Sequence, residues 1–234
     1  MAPFRSYVAV RPPEYWPRPL FLALVDAADR FVLADTFQYS RQSYQNRTPV
    51  RTPQGSHWLS VPLAGNQHGR PVVDVRIHGR HRWIRKHWRA LHYNYRTTPF
   101  FAFYEPRLAP LFDREWDRLG QLTCTSVCVL ADLFGIDTPI VRASEMPESS
   151  QSMSDILRAC ESDRLLSAED TVEADRQLAD VHGVVSIQDL TYHQNFDGFE
   201  PGMSALDLLF NYGPEALAMV RRATYADLTT VRQM

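Results

Sequence analysis

Phe31-Val32-Leu33-Ala34-Asp35 is an apolar run that stops on a carboxylate, and its reading settles the fold class. An aliphatic run that ends on a carboxylate and opens into a polar loop reads as a strand. Upstream, residues 20–28 carry a helical apolar pattern at Leu20, Leu24, Ala27 and Ala28, and residues 6–10 read as a short strand stopped by Pro12-Pro13. Strand, helix, strand at this spacing is a βαβ unit, which is almost always right-handed and builds a parallel pair. The connection between first strand and helix, Tyr15-Trp16-Pro17-Arg18-Pro19, lacks the glycine fingerprint of dinucleotide binding, and no P-loop occurs in the chain. Downstream of Asp35 the chain offers Gln38, Tyr39, Tyr44, Asn46 and Arg47. Open α/β sheets take their ligands just past the carboxyl ends of their strands, where such a loop stands.

Further outward the alternation continues. Residues 50–63 predict a hairpin around Pro53-Gln54-Gly55, since Pro followed closely by Gly suits a reverse turn. Val72-Val73-Asp74-Val75-Arg76-Ile77 reads as a strand closed by Gly79. Residues 82–95 predict a helix, with Ile84, Trp88, Leu91 and Tyr95 forming an apolar stripe and Arg82, Lys86 and Arg89 pointing away from it. Phe100, Phe101, Phe103 and Tyr104 form an aromatic cluster expected in the core. Residues 113–134 predict one long helix ending at Gly135, with Trp116 on its apolar face and Cys124 and Cys128 as small buried residues. Strands are expected at 139–143, 164–166 and 184–187, with helices at 154–160 and, acidic, at 168–181. Ser204 and Asp207 have the spacing of a helix-capping pair, Gly213 ends that helix, and Pro214 suits the first turn of the next. The expectation is one α/β domain over residues 1–234. Its mostly parallel sheet is flanked by helices (Rossmann-like, and akin to nucleotidyltransferase domains), with a β-hairpin insertion and a helical C-terminal segment.

Composition narrows the function. The chain has 234 residues, 44% hydrophobic and 22% charged, with a formal charge of -2, which gives no global field for nucleic acid or acidic membranes. Residues 76–96 are locally basic and 145–180 acidic. No signal peptide is read at the start, and no apolar run reaches the ~18 residues of a membrane span, so no membrane partner is expected. Three cysteines without metal or redox spacing predict reduced thiols and a cytoplasmic location. Lys86 is the sole lysine in an arginine-rich chain, which singles it out where a compact ammonium is required.

Taken together, Asp35, Gln38-Tyr39, Asn46-Arg47, Trp58-Leu59, Val61-Pro62, Trp83, Lys86-His87, Tyr95 and Pro99 resemble the pattern of the WbqC-like family. The resemblance continues through Phe199, Ser204, Asp207-Leu208-Leu209-Phe210-Asn211 and Gly213, spanning about residues 5–220. Two segments depart from it. Arg11-Pro12-Pro13 leading to Pro19-Leu20-Phe21 replaces a Gln-Pro-aromatic opening with Gly-Tyr-Phe, and Ser167-Ala168-Glu169-Asp170 replaces a Gly-rich segment. The resemblance implies a place in surface-polysaccharide or natural-product biosynthesis. The order of the first elements also resembles nucleotidyltransferase-type domains such as pantothenate synthetase, without their His-containing phosphate motif.

For chemistry, Arg47 and Lys86 are candidates to hold a phosphate or carboxylate, and His87, titrating near neutrality, to act as general acid or base with Asp35 orienting it. Gln38, Asn46, Tyr192, Gln194 and Asn211 complete the expected substrate site, while Trp58, Trp83, Tyr95 and Pro62 are expected to pack. Six of the eight histidines lie between His57 and His92, yet His87 and His92 fall roughly 140° apart around a helix and no ligand spacing recurs, so no metal is expected. A Gly-x-Ser-x-Gly elbow is absent. The expectation is a transferase moving an acyl or aminoacyl group, or using a nucleotide-activated small molecule, with a nucleotide or coenzyme A thioester as cofactor. The alternative is a non-catalytic subunit beside a partner biosynthetic enzyme. Nucleic-acid binding by residues 76–96 ranks below both, because a charged helix face is commonly just solvated.

Overall fold

The structure, a computed structural model, describes residues 6–79, 82–147 and 151–228. The first βαβ unit forms where the apolar runs place it: β1 is Tyr7–Arg11, α1 Pro19–Ala27 and β2 Arg30–Leu33, with β1 and β2 parallel. Pro19 opens α1 because its fixed φ fits a first helical turn and its missing N–H costs nothing there. β5 (Ile140–Arg142), β6 (Arg164–Ala168) and β7 (Val181–Ile187) join the sheet in parallel. With β8 (Thr224–Asp227) at the far margin, the strand order is β5-β2-β1-β6-β7-β8. Counting only the parallel strands in chain order, this is 3-2-1-4-5, the order of doubly wound nucleotide-binding sheets. β8, which the sequence reading missed, lies antiparallel on β7.

Both faces of the sheet are apolar, as a parallel sheet covered by helices requires. Ala9, Phe31, Leu33, Leu166 and Val185 face α1, α4 (Leu119–Phe134), α7 (Ala205–Tyr212) and α8 (Ala216–Ala223). Val8, Val10, Val32, Leu165 and Val181 pack with Met153, Ile156 and Leu157 of α5 (Met153–Ala159) and Val172 of α6 (Val172–Arg176). The hairpin, β3 (Arg47–Thr52) and β4 (Gly55–Ser60), is a separate two-stranded sheet turning at Pro53-Gln54, with Gly55 at φ 110°. α2 spans Arg82–Tyr95 as expected, and Gly135 closes α4 in the left-handed conformation.

Several elements differ from expectation, each for a local reason. The strand expected over 72–77 is a 3-10 turn at Val72–Asp74, because the Val72 and Val73 N–H groups bond the carbonyls of Phe37 and Asp35, and pairing is confined to isolated bridges of Arg76 with Arg118 and Ile77 with Leu63. The expected helix over 113–134 begins only at Leu119, as α4; Asp113 instead ends a separate helix, α3 (Phe101–Asp113), with buried Trp116 in the connection. α3 holds Pro106 and Pro110, both on its solvent side, where water satisfies the carbonyls a proline leaves unpaired. In the same helix Phe103 is exposed rather than in the core. The acidic helix shrinks to α6, since Ser167 and Ala168 extend β6 and the Ser167 hydroxyl bonds Asp175. Cys124 is buried, and burial pushes its thiol up to about 12; Cys128, expected to be buried, is exposed. Trp58 is exposed too, carrying the Arg47 guanidinium 4.3 Å above its ring.

Candidate functional site

All five parallel strands deliver their carboxyl ends to one edge, and neighbouring strands lead away in opposite directions between β1 and β6. That gap is where open α/β sheets hold ligands. β1 brings Arg11 to it and β6 leads into Asp170. The turn before α1 adds Glu14 and Arg18. Arg11 Nη1 donates to Asp170 Oδ1 at 3.0 Å, and Arg18 Nη2 donates to Asp170 Oδ2 at 2.9 Å and to Glu14 Oε1 at 2.9 Å. Arg18 lies flat on Tyr44, its guanidinium carbon 3.6 Å from the ring centroid. Burial works against the charge of Arg18, but Glu14 and Asp170 outweigh it and hold its pKa above the ordinary arginine value. Burial likewise disfavours ionised Asp170, and the two arginines prevail, holding its carboxyl below the usual range.

Beside this cluster is a cavity of about 320 Å³, lined among others by Arg18, Leu20, Glu169, Ile187, Tyr192 and Phe199. The first helix therefore begins at the cavity mouth. Leu190 separates the cavity from a larger hollow of about 490 Å³ at the sheet margin, bordered by Asp189, Arg222 and Tyr225. The wall carrying Tyr192 is held from behind. Its hydroxyl donates to Asp207 Oδ2 at 2.8 Å, and Gln194 Nε2 donates to the same oxygen at 3.0 Å. Gln194 Oε1 accepts from Arg51 Nε at 3.2 Å and from the Glu200 N–H at 2.9 Å. Burial raises the Asp207 carboxyl, against the lowering pull of Tyr192, Tyr95 and Gln194. Thus Asp207 is the hub of a network joining hairpin, loop and α7, while Ser204 alone caps the helix.

The expected site residues are distributed rather than gathered. Asp35, fully buried, accepts from the Ser144 N–H (2.9 Å) and hydroxyl (2.6 Å), clamping the ends of β2 and β5. The expected Asp35–His87 pair does not form, because the His87 ring is taken by Tyr15, 3.0 Å from Nδ1, and by the Ser60 carbonyl. Burial lowers His87 to about 4, so it is a neutral imidazole at physiological pH rather than a group titrating near 7. Lys86, its neighbour in α2, is exposed where His87 is buried. Gln38 is exposed and bridges to Pro71. Asn46 sits between the Tyr39 hydroxyl (3.0 Å) and the Val61 carbonyl (3.1 Å), and Arg47 donates to the Gln42 carbonyl at 2.5 Å. Asn211 bonds the Asp207 carbonyl at 2.7 Å, one turn back in its own helix. Only Tyr192 lines the cavity, with Gln194 behind it.

Residues 12–219 match the model of the WbqC-like protein family. The chain belongs to that family. Uncharacterized protein Rv1507c of Mycobacterium tuberculosis (strain ATCC 25618 / H37Rv) is 28% identical over 222 residues, 89% of this chain and 95% of the relative. No solved structure matches the chain.

In this WbqC-like chain the two segments that the sequence reading sets apart meet at one place: Arg11 and Arg18 from the first, Asp170 from the second. Those residues, with Arg51 and Glu169, were missed as site candidates. The signal available for Arg18 was a cation fixed between Pro17 and Pro19 at a helix start. For Arg51 there was none, because its role depends on the loop at 194–197 folding back over the hairpin.

Proposed function

We propose that this WbqC-like protein is a transferase that binds an activated small molecule at the carboxyl edge of its sheet, its body in the cavity between Leu20, Tyr192 and Phe199. The single observation that carries this reading is the coincidence of cavity, arginine cluster and α1 start at the crossing point of a 3-2-1-4-5 sheet. Arg18 supplies positive charge toward the anionic part of a donor such as a nucleotide or coenzyme A thioester. Glu169 is the carboxylate in the lining, placed to take the proton of an attacking amino or hydroxyl group. Transfer of an acyl, aminoacyl or nucleotide-activated group in polysaccharide or natural-product biosynthesis fits both the family and the lining.

A thermal-shift screen against nucleotides, coenzyme A thioesters, aminoacyl donors and nucleotide sugars tests it. A donor at a hundred times its Kd stabilises by about 2.7 kcal/mol, a rise of roughly 5–10 °C for a chain of this size. One class should give that rise, lost in Phe199→Ala. Silence from all four classes would sink the reading. A non-catalytic partner subunit is the second reading, supported by the exposed Arg82, Arg85, Lys86 and Arg89 on α2. Under it, no donor binds and charge reversal on α2 abolishes capture of the partner enzyme.

A further inference from the structure

We infer that Arg11 and Arg18 form the grip of a phosphate subsite, which Asp170 fills from within the chain until a ligand's phosphate displaces it. The inference rests on reading the crevice as the substrate site, and it names the substrate class as phosphate-bearing. Two guanidinium groups from different elements each give one N–H to a different oxygen of a single carboxylate, at 3.0 and 2.9 Å. A phosphate offers two oxygens in the same relation, with more charge and more lone pairs.

Three observations separate this from an ordinary ion pair. First, Arg11 is only 7% exposed, and its buried Nε has no acceptor, so the grip has a donor that the chain's own residues leave unused. Second, the two carboxylates facing the arginines are unlike. Glu14 is buried and stays bonded to Arg18, whereas the Asp170 side chain is 31% exposed, on the loop that follows β6. Asp170 can therefore swing into water when an incoming anion takes over its two arginine bonds, while Glu14 remains as the resident counter-ion. Its departure leaves two guanidinium charges against Glu14, an excess that suits an incoming anion. Third, the first turn of α1 opens beside the pair with no side chain capping it; Pro19 has no N–H and the Phe21 and Leu22 N–H groups bond the Arg18 carbonyl, so the Leu20 N–H is the backbone donor this turn adds on the cavity side.

The test uses inorganic pyrophosphate as the probe and isothermal titration calorimetry on the full chain. Asp170→Asn removes the internal competitor, so pyrophosphate should bind it about tenfold or more tighter than it binds the wild type. Adding Arg11→Gln to that variant should cancel the gain. Equal affinity in wild type and Asp170→Asn overturns the proposal. Should the variants fail to fold, hydrogen–deuterium exchange on the wild type decides. Saturating pyrophosphate should speed exchange in residues 169–172 and slow it at the start of α1. No heat and no exchange change with millimolar pyrophosphate overturns the subsite. Pyrophosphate binding without a response to any donor class would keep the subsite and reject the transferase. A donor response indifferent to Asp170→Asn would do the reverse.

Discussion

At the residue scale, His87 shows how burial decides what a titratable group does. Its ring is held by Tyr15 and the Ser60 carbonyl in a neutral form, and the cost of charging it there lowers its pKa from 6.5 to about 4. Between those values the unfolded chain binds a proton that the folded chain refuses. Stability is therefore fully present above pH 6.5 and is lost as pH falls toward 4, by on the order of 3 kcal/mol. Urea unfolding followed from pH 7 to 4 should show that slope in the wild type and a flatter one in His87→Gln; equal slopes would mean an imidazole open to water. Asp170 adds a dependence of the same sign at lower pH, since its carboxyl is held below the ordinary range and its contribution disappears as it protonates. Tyr192→Phe removes one of the donors to buried Asp207 and should cost about 1–3 kcal/mol, read as a shift of the urea midpoint. No shift would place the hydroxyl's partner elsewhere.

At the element scale, the two glycines that end helices make a contrast. Gly135 has φ 75° with open space around it, so Gly135→Ala should cost about 1 kcal/mol in backbone strain alone. Gly213 has φ 55°, and a Cβ there would stand 2.4 Å from the Phe100 ring, whose backbone is fixed by a hydrogen bond to Phe210. Gly213→Ala should cost about 2–4 kcal/mol by the same assay, strain and overpacking together. Elements of this kind, whose cause is local, were legible: the apolar run at 31–34, the stripe of α2, and the stops at Gly135 and Gly213. Elements decided by distant partners were not. Valines at 72–75 promise a strand, but the Val72 and Val73 N–H groups go to the loop after β2; two prolines hide α3, because only the fold reveals that they face water. The site shows the same division. Tyr192, which lines the cavity, is among the residues the sequence singled out for a substrate site, whereas the Arg11–Asp170 contact joins positions far apart in sequence through strand order alone.

At the scale of the whole molecule, the charge is segregated. Arg82, Arg85, Lys86 and Arg89 stand on the exposed side of α2, unpaired with any described carboxylate, whereas the arginines at the sheet's crossing point are buried and paired. Lys86→Glu with Arg89→Glu should change the unfolding free energy by no more than about 0.5 kcal/mol, since both side chains are solvated. A larger loss in denaturant titration would show that the face is engaged by the chain itself. The sheet margins carry a different consequence. Its outermost strands, β5 and β8, have three and four residues, and the longest, β7, is covered on both sides by partners. A short rim offers few free N–H and C=O groups as a template for a second chain, so the fold itself guards against edge-to-edge aggregation despite its strongly apolar interior.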